Sequence, residues 1–140
     1  MKYLVLASTL LLGACSSTYN LDQTMDLIAA TEENAPNGVQ GTFQFEIKAG
    51  DKIRGEVFLN TQEDYRDRRS ITIALTPEVV KEFIRKEGLT PNVYFIGKKV
   101  EVTGEAKREK IAFFSRGKKT SKYYFQTHIT IDSLDQIQEI

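Results

Sequence analysis

The chain has 140 residues, with 19 basic and 19 acidic side chains and no net formal charge at neutral pH. One cysteine and one histidine exclude an internal disulfide framework and a zinc site built from clustered His and Cys. The balanced total also sets the chain apart from domains whose overall basicity marks a nucleic-acid binder.

Lys2 is the only charge before Asp22, and Tyr3 to Ala14 is almost wholly apolar or small. A run of about 12 residues falls short of the roughly 20 that span a bilayer. A basic start, a short apolar run and small residues at its end match a secretory signal over residues 1–14. The alternative, a buried N-terminal helix, has only Ser8 and Thr9 for its outer face. Leu12-Gly13-Ala14-Cys15 resembles the lipobox of bacterial lipoproteins, an aliphatic residue and two small ones before a cysteine. The resemblance implies cleavage before Cys15, a diacylglycerol thioether on its sulfur and an acylated (typically palmitoylated) amino terminus, so that the membrane is a partner through Cys15. Two or more acyl chains hold a protein to a bilayer firmly. Ser16 follows, where aspartate commonly marks inner-membrane retention in enterobacterial lipoproteins. In a Gram-negative host the resemblance therefore points to the outer membrane, facing the periplasm. With Cys15 capped, the remainder must be held together by its core alone.

Residues 15–38 read as a lipidated tether. SSTYN is loop-like, and LDQTMDLIAA places Leu21, Met25 and Ile28 at helical spacing with Asn20 as a candidate N-cap. TEENAPNG then breaks the pattern. A short helix on the domain or membrane surface and a mobile spacer are both compatible with this stretch.

Residues 39–140 read as one domain of common size. In VQGTFQFEIK, Val39, Gly41, Phe43, Phe45 and Ile47 alternate with polar residues, the period of a half-buried strand. Ala49-Gly50-Asp51 is turn material, and KIRGEVFLN alternates again through Ile53, Gly55, Val57 and Leu59, so the pair reads as a hairpin. TQEDYRDR is a polar connection, and SITIALT is a third strand with Ile71, Ile73 and Leu75 inward. In TPEVVKEFIRKEG the period changes to that of a helix, with Val79, Val80, Phe83 and Ile84 on one face. Thr76 can cap it, Pro77 suits its first position, and Gly88 can supply a left-handed stop. KKVEVTGEAK alternates through Val100, Val102, Gly104 and Ala106 as a fourth strand, which IAFFS can extend. SRGKKTSK reads as a hairpin tip, and YYFQTHITI as a fifth strand with Tyr123, Phe125, Thr127, Ile129 and Ile131 on one face.

Three strands, one helix and two strands form the layout of the OB-fold, a small five-stranded Greek-key barrel with the helix between strands 3 and 4. Gly41, Gly55 and Gly104, at strand interiors, suit a tightly curved sheet. The segments VQGTF, GKKVEVTGEAKR and HITIDSLDQI are similar to the first, fourth and fifth strands of OB-type domains. Another small β-barrel, or a sandwich with one helix, is the alternative, although sandwiches more often have seven or more strands.

No catalytic constellation emerges, no cofactor or metal is expected, and the chain reads as a non-enzyme. His128 is out of phase with Ile129 and Ile131, and no Gly-x-Ser-x-Gly elbow or phosphate-cradling GxxxxGK[ST] occurs. Binding is better represented. Phe58 and Tyr124 lie opposite in phase to their strands' inward residues, Tyr65 sits among arginines, and one of Phe113 and Phe114 must face outward. Charge is uneven. Cys15 to Asp64 carries nine acidic residues against three basic, whereas Lys98 to Lys122 carries nine basic against three acidic. Phe58, Tyr65, Tyr124 and His128, with Lys98, Lys99, Arg116, Lys118, Lys119 and Lys122, form the candidate binding set. The first reading is a non-catalytic adaptor for a protein or another envelope component, anionic lipid or glycan included. The second is an OB-type groove for an oligonucleotide or oligosaccharide, using aromatic platforms among basic residues. Against both stands ordinary packing: Phe58 and Tyr124 can lie under the helix or residues 21–29, and lysines commonly blunt strand edges and hairpin tips.

Overall fold

The computed structural model describes residues 18–140; the expected signal, the lipobox-like segment and Cys15 lie outside the described residues. The elements are α1 (Leu21–Asn34), β1 (Val39–Glu46), β2 (Ala49–Ile53), β3 (Glu56–Asn60), β4 (Ile71–Leu75), α2 (Pro77–Glu87), α3 (Pro91–Tyr94), β5 (Lys99–Ser115), β6 (Lys118–Ile131), a 3-10 turn (Leu134–Gln136) and β7 (Ile137–Glu139). The fold is mainly β, and its strands number seven, against the five expected. They form one sheet in the order β1-β5-β6-β4-β3-β2, with β7 paired to β5. Only β4 and β6 run parallel.

Two of the extra boundaries have a physical cause. The segment 49–51 is not a turn; it pairs with β3, Ala49 opposite Asn60 and Gly50 opposite Leu59. The reversal comes at Arg54-Gly55, with φ of 52° and 85°. Positive φ at both central positions is what a tight two-residue hairpin demands, and glycine meets it without steric cost. Gly55 is thus a turn residue rather than a strand glycine, and Ile53 is exposed. β1 and β2 are separated only by Ile47 and Lys48. Ile47 N–H donates to Lys98 O and Lys48 N–H to Asn60 O, both at 2.9 Å. One bent stretch of chain thereby bonds both ends of the sheet and curls it around a common core. β7 extends past the expected last strand because Ser133 and Gln136 form a capping box that turns the chain back onto β5.

The core follows the alternation. Phe45, Ile47, Val57, Leu59, Ile71, Ile73, Leu75, Val100, Ile129 and Ile131 are buried to within 1%, each contributing roughly 1.5–3 kcal/mol by leaving water. α2 lays Val79, Val80 and Phe83 against this cluster. Its ends are as expected: the Thr76 hydroxyl accepts from Val79 N–H, and Gly88, at φ 75°, donates to Ile84 O. Residues 21–34 form a full helix, capped by Asn20, whose Leu27 and Ile28 join the same apolar cluster. Tyr19 meets the edges of Phe43 and Phe45. Gly41 and Gly104 face each other across β1 and β5. A Cβ on Gly104 would lie 3.1 Å from Ile129 Cγ2 and 3.2 Å from Gln136 Nε2. The bare position lets the Gln136 amide cross the strand and donate to Thr103 O and Thr130 O. No helix of the described residues is long and apolar enough to cross a membrane.

Candidate binding face

The core-facing residues of β3 and β6 force their neighbours onto the opposite face. Val57 and Leu59 point inward, so Phe58 points out; Thr127, Ile129 and Ile131 point inward, so Tyr124, Gln126 and His128 point out. Pairing aligns them. β4 joins β3 to β6, with Phe58 opposite Ala74 and Thr72 opposite His128. Phe58 and His128 rings are 6.4 Å apart. His128 Nε2 lies 2.7 Å from Gln126 Oε1, and Gln126 Nε2 donates to Tyr124 Oη at 2.8 Å. Tyr124 packs against Phe113 of β5, ring centroids 5.1 Å apart and planes tilted by 41°. The result is a continuous row, Phe58–His128–Gln126–Tyr124–Phe113, crossing the outer face of the sheet.

The loop between β3 and β4 edges this row, and it is more ordered than a polar connection requires. Asp64 Oδ1 accepts from Arg66 N–H while both carboxylate oxygens take the Arg66 guanidinium at 3.2 and 3.3 Å. Asp67 repeats the arrangement with Arg69 at 3.0 and 2.8 Å. These guanidinium and backbone bonds hold the Asp64 carboxyl below the usual carboxylate range and that of Asp67 at about 2. Tyr65, exposed between them, offers its carbonyl to Gln126 Nε2 at 3.4 Å. A carbonyl only accepts, so the Gln126 amide nitrogen faces the loop and its oxygen faces His128. His128 therefore carries its proton on Nε2. Burial pushes the His128 pKa down to about 4, so the ring is neutral at pH 7. Burial also raises Tyr124, with Tyr65 adding to the shift. α1 reaches the row only at Gln126, with which it shares a cleft. Its Met25 and Ile28 line that cleft with Phe125 and Thr127, which belong to the other face of β6.

Phe58, Tyr65, Tyr124 and His128 are thus brought together. Of the basic residues, only Lys122 adjoins them, two residues from Tyr124 and in phase with it on β6. Lys98 and Lys99 stand at the start of β5, and Arg116, Lys118, Lys119 and Lys122 at the far end of the β5–β6 hairpin. Some 16 residues of strand, about 50 Å, divide what is contiguous in sequence. Lys98 packs 3.4 Å over the Tyr94 ring and 3.7 Å from Glu139, and Lys99 pairs across from Glu46. The hairpin tip is also narrower than SRGKKTSK: only Arg116-Gly117 turns, at φ 52° and 75°, and Lys118–Lys122 is strand. Tyr123 and Phe125 are exposed instead of inward, because β6 has passed the end of β4 there. Lys110 and Arg108 cap them at 4.1 and 4.2 Å. Gln126 and the Asp–Arg pairs are the members of this face absent from the expected binding set, and Phe113 is the one of the Phe113–Phe114 pair that joins it. Phase alone points to Gln126, which lies between Tyr124 and His128.

Among the described residues no three of His, Cys, Asp and Glu gather to hold a metal ion. Two cations beside the row are each next to an acid, Arg66 on Asp64 and Lys107, opposite His128 in the ladder, 3.8 Å from Glu105, while Lys122 shares the strand phase of Tyr124.

No family model matches the chain, and no curated protein matches it. Among solved structures it is similar to part of an aspartyl-tRNA synthetase from Entamoeba histolytica, with TM-score 0.48 and 13% identity over 88% of this chain and 21% of that one. A second likeness is to a putative aspartyl-tRNA synthetase from Leishmania major Friedlin, with TM-score 0.44 and 14% identity over 80% of this chain and 19% of that one. A third is to a small single-stranded DNA-binding protein from Streptomyces coelicolor, with TM-score 0.39 and 13% identity over 74% of this chain and 95% of that one. The chain spans about a fifth of the length of the two synthetases. At these scores and identities function must be argued from the chain's own residues.

Proposed function

We propose that residues 39–140 are an OB-type barrel serving as a non-catalytic binding module for an oligosaccharide of the cell envelope, held there by lipid on Cys15. The OB reading is supported by strand order. If β1 and β2 count as one bent strand, the pairings become first with second, second with third, third parallel to fifth, fifth with fourth and fourth with first. In such barrels the face of strands 2 and 3 and the loop between strands 4 and 5 bind oligonucleotides and oligosaccharides. Phe58 stands on the second of these strands, and Phe113 and Tyr124 on the hairpin joining the fourth and fifth.

The observation that carries the sugar reading is the chemistry of the row. Aromatic rings alternate with uncharged hydrogen-bonding groups: a neutral imidazole, a carboxamide and a phenol. Sugar rings offer apolar faces and hydroxyl edges, which such a row complements. A phosphate polymer calls for free cations, and two of those flanking the row, Arg66 and Lys107, are engaged by Asp64 and Glu105. The envelope location rests on the lipobox resemblance at Leu12–Cys15 alone.

The test is a titration of the chain carrying Cys15→Ser with hexa-N-acetylglucosamine and, separately, with a dodecameric oligothymidylate in low salt. Sugar binding should perturb the amides of Phe58, Tyr124 and His128, and Phe58→Ala and Tyr124→Ala should each weaken it about tenfold without unfolding the protein. Tighter binding of oligothymidylate would replace the glycan with a nucleic acid. No binding of either would remove the face as a polymer site.

A further inference from the structure

Ala106 is the last residue of β5 paired with β1, and Thr127 the first of β6 paired with β4. Residues 107–126 therefore form a two-stranded ribbon with no third strand beside it, about 25–30 Å long at strand rise, whose base meets the Tyr65 loop through Gln126 and α1 through Arg108 and Phe125. A lone hairpin is marginal in water. This one is braced by Arg108 on Phe125, Lys110 on Tyr123, Phe113 on Tyr124, and the Thr120 hydroxyl donating to Phe113 O. The brace ends before the tip. There Phe114 is 67% exposed and sits in register with Lys119, beside the Ser115–Lys118 pair.

The charge at the tip is of one sign. Residues 110–122 contain Lys110, Arg116, Lys118, Lys119 and Lys122 and no carboxylate, in a chain of zero net charge. An unpaired aromatic amid cations is costly to leave in water and suits the boundary between headgroups and acyl chains. There the ring leaves water while the cations meet anionic headgroups. We propose that the β5–β6 hairpin tip docks on an anionic phospholipid bilayer, with Phe114 inserted at the interface and Lys118 and Lys119 on the headgroups. Complementary charge selects this occupant over a neutral surface. The exposed phenylalanine next to the apex adds nothing to a polyanion of phosphates alone and selects the bilayer over one; a single-stranded nucleic acid, whose bases can stack on it, is separated by the oligothymidylate arm of the test. The proposal is independent of the sugar reading and of the lipid on Cys15, since it concerns the far end of the ribbon.

The chain has no tryptophan, so Phe114→Trp supplies a signal from the tip alone. In the Cys15→Ser background, vesicles of phosphatidylglycerol and phosphatidylethanolamine should shift its emission to the blue, and brominated lipid should quench it. Leu89→Trp, exposed just beyond α2, should show neither. Lys118→Ala with Lys119→Ala should weaken binding roughly 25-fold, at about fivefold per cation, and phosphatidylcholine vesicles should give no shift. Circular dichroism checks that each variant folds, and Phe114→Ser, followed by sedimentation with the vesicles, gives a second route to the ring's contribution. Equal signals at both tryptophans, equal binding to phosphatidylcholine, or insensitivity to the lysine pair would overturn the proposal. So would a response of Phe114→Trp to oligothymidylate but not to vesicles.

Discussion

Gln126 Oε1 lies 2.7 Å from His128 Nε2, and the rest of the Gln126 amide is taken by Tyr124 Oη and Tyr65 O. The arrangement fixes the tautomer of the only histidine in the chain and gives its ring no carboxylate to favour the charged form. Burial holds its pKa at about 4, against 6.5 in an unfolded chain. Between these values the unfolded state binds the extra proton, so neutral His128 stabilises the fold fully above pH 6.5 and this contribution is lost as pH falls to 4. The loss should amount to about 2 kcal/mol, discounted for partial exposure. A single histidine resonance should titrate near 4 by NMR, and urea midpoints of His128→Gln should lack the slope between pH 6.5 and 4. A resonance titrating at 6 or above would show an open, unconstrained ring.

α1 supplies the next prediction. Ile28 and Leu27 are 6% and 7% exposed and touch the same cluster as the sheet. Ile28→Ala should therefore cost about 2–4 kcal/mol in equilibrium unfolding, within the range of buried isoleucines. Asp26→Ala, on the exposed face of the helix, should stay within about 0.5 kcal/mol. A helix that only lies on the surface would show no difference between the two.

The same contrast explains how much was legible in the sequence. Alternation at Phe43, Phe45, Val57, Leu59, Ile71, Ile73, Val100, Val102, Ile129 and Ile131 is a local consequence of one buried face, and all ten are buried. Thr76, Pro77 and Gly88 act within one helix, and they do what their chemistry implies. The errors arise where a partner decides. Ala49-Gly50-Asp51 has turn composition but lies opposite β3, and Tyr123 and Phe125 share the inward phase of Ile129 at a place where no β4 covers them. Of the candidate face, Phe58, Tyr124 and His128 are readable from phase. The separation of Lys98 from Lys118 is not, because strand length carries the chain about 50 Å between residues that look adjacent on the page.

Gly88 and Gly55 both have positive φ, 75° and 85°, and neither has a side chain pressed against it: nothing lies within 4 Å of a Cβ on Gly88, and only Pro77, at 3.7 Å or more, near one on Gly55. Any cost of adding a methyl is therefore conformational. Gly88→Ala and Gly55→Ala should each destabilise by about 1–2 kcal/mol, and Gly88→Asn by less, since asparagine tolerates the left-handed region. Gly104→Ala should differ in kind. Its φ is not positive, but the methyl meets Ile129 and the Gln136 amide. Gln136→Ala in the Gly104→Ala background should then cost less than in the native chain, a coupling that a double-mutant cycle reads directly.

The proposed anchor can be tested apart from the fold. Residues 18–140 contain no cysteine, so Cys15→Ser removes no thiol from the described core, whose unfolding midpoint should stay unchanged. If the Leu12–Cys15 segment is processed as a lipobox, the native chain should incorporate radiolabelled palmitate and remain with membranes after alkaline or high-salt washing. Both should be lost in Cys15→Ser, and cleavage before residue 15 should fail. A single acyl chain would give only marginal retention, so firm retention also tests whether the amino terminus is acylated. Lysine substitution at the hairpin tip should not release the lipidated chain from membranes, because two or more acyl chains outweigh a few surface charges. Palmitate labelling of the Cys15→Ser chain, or normal processing without Cys15, would remove the lipoprotein reading and leave the binding face to be tested as part of a chain of other location.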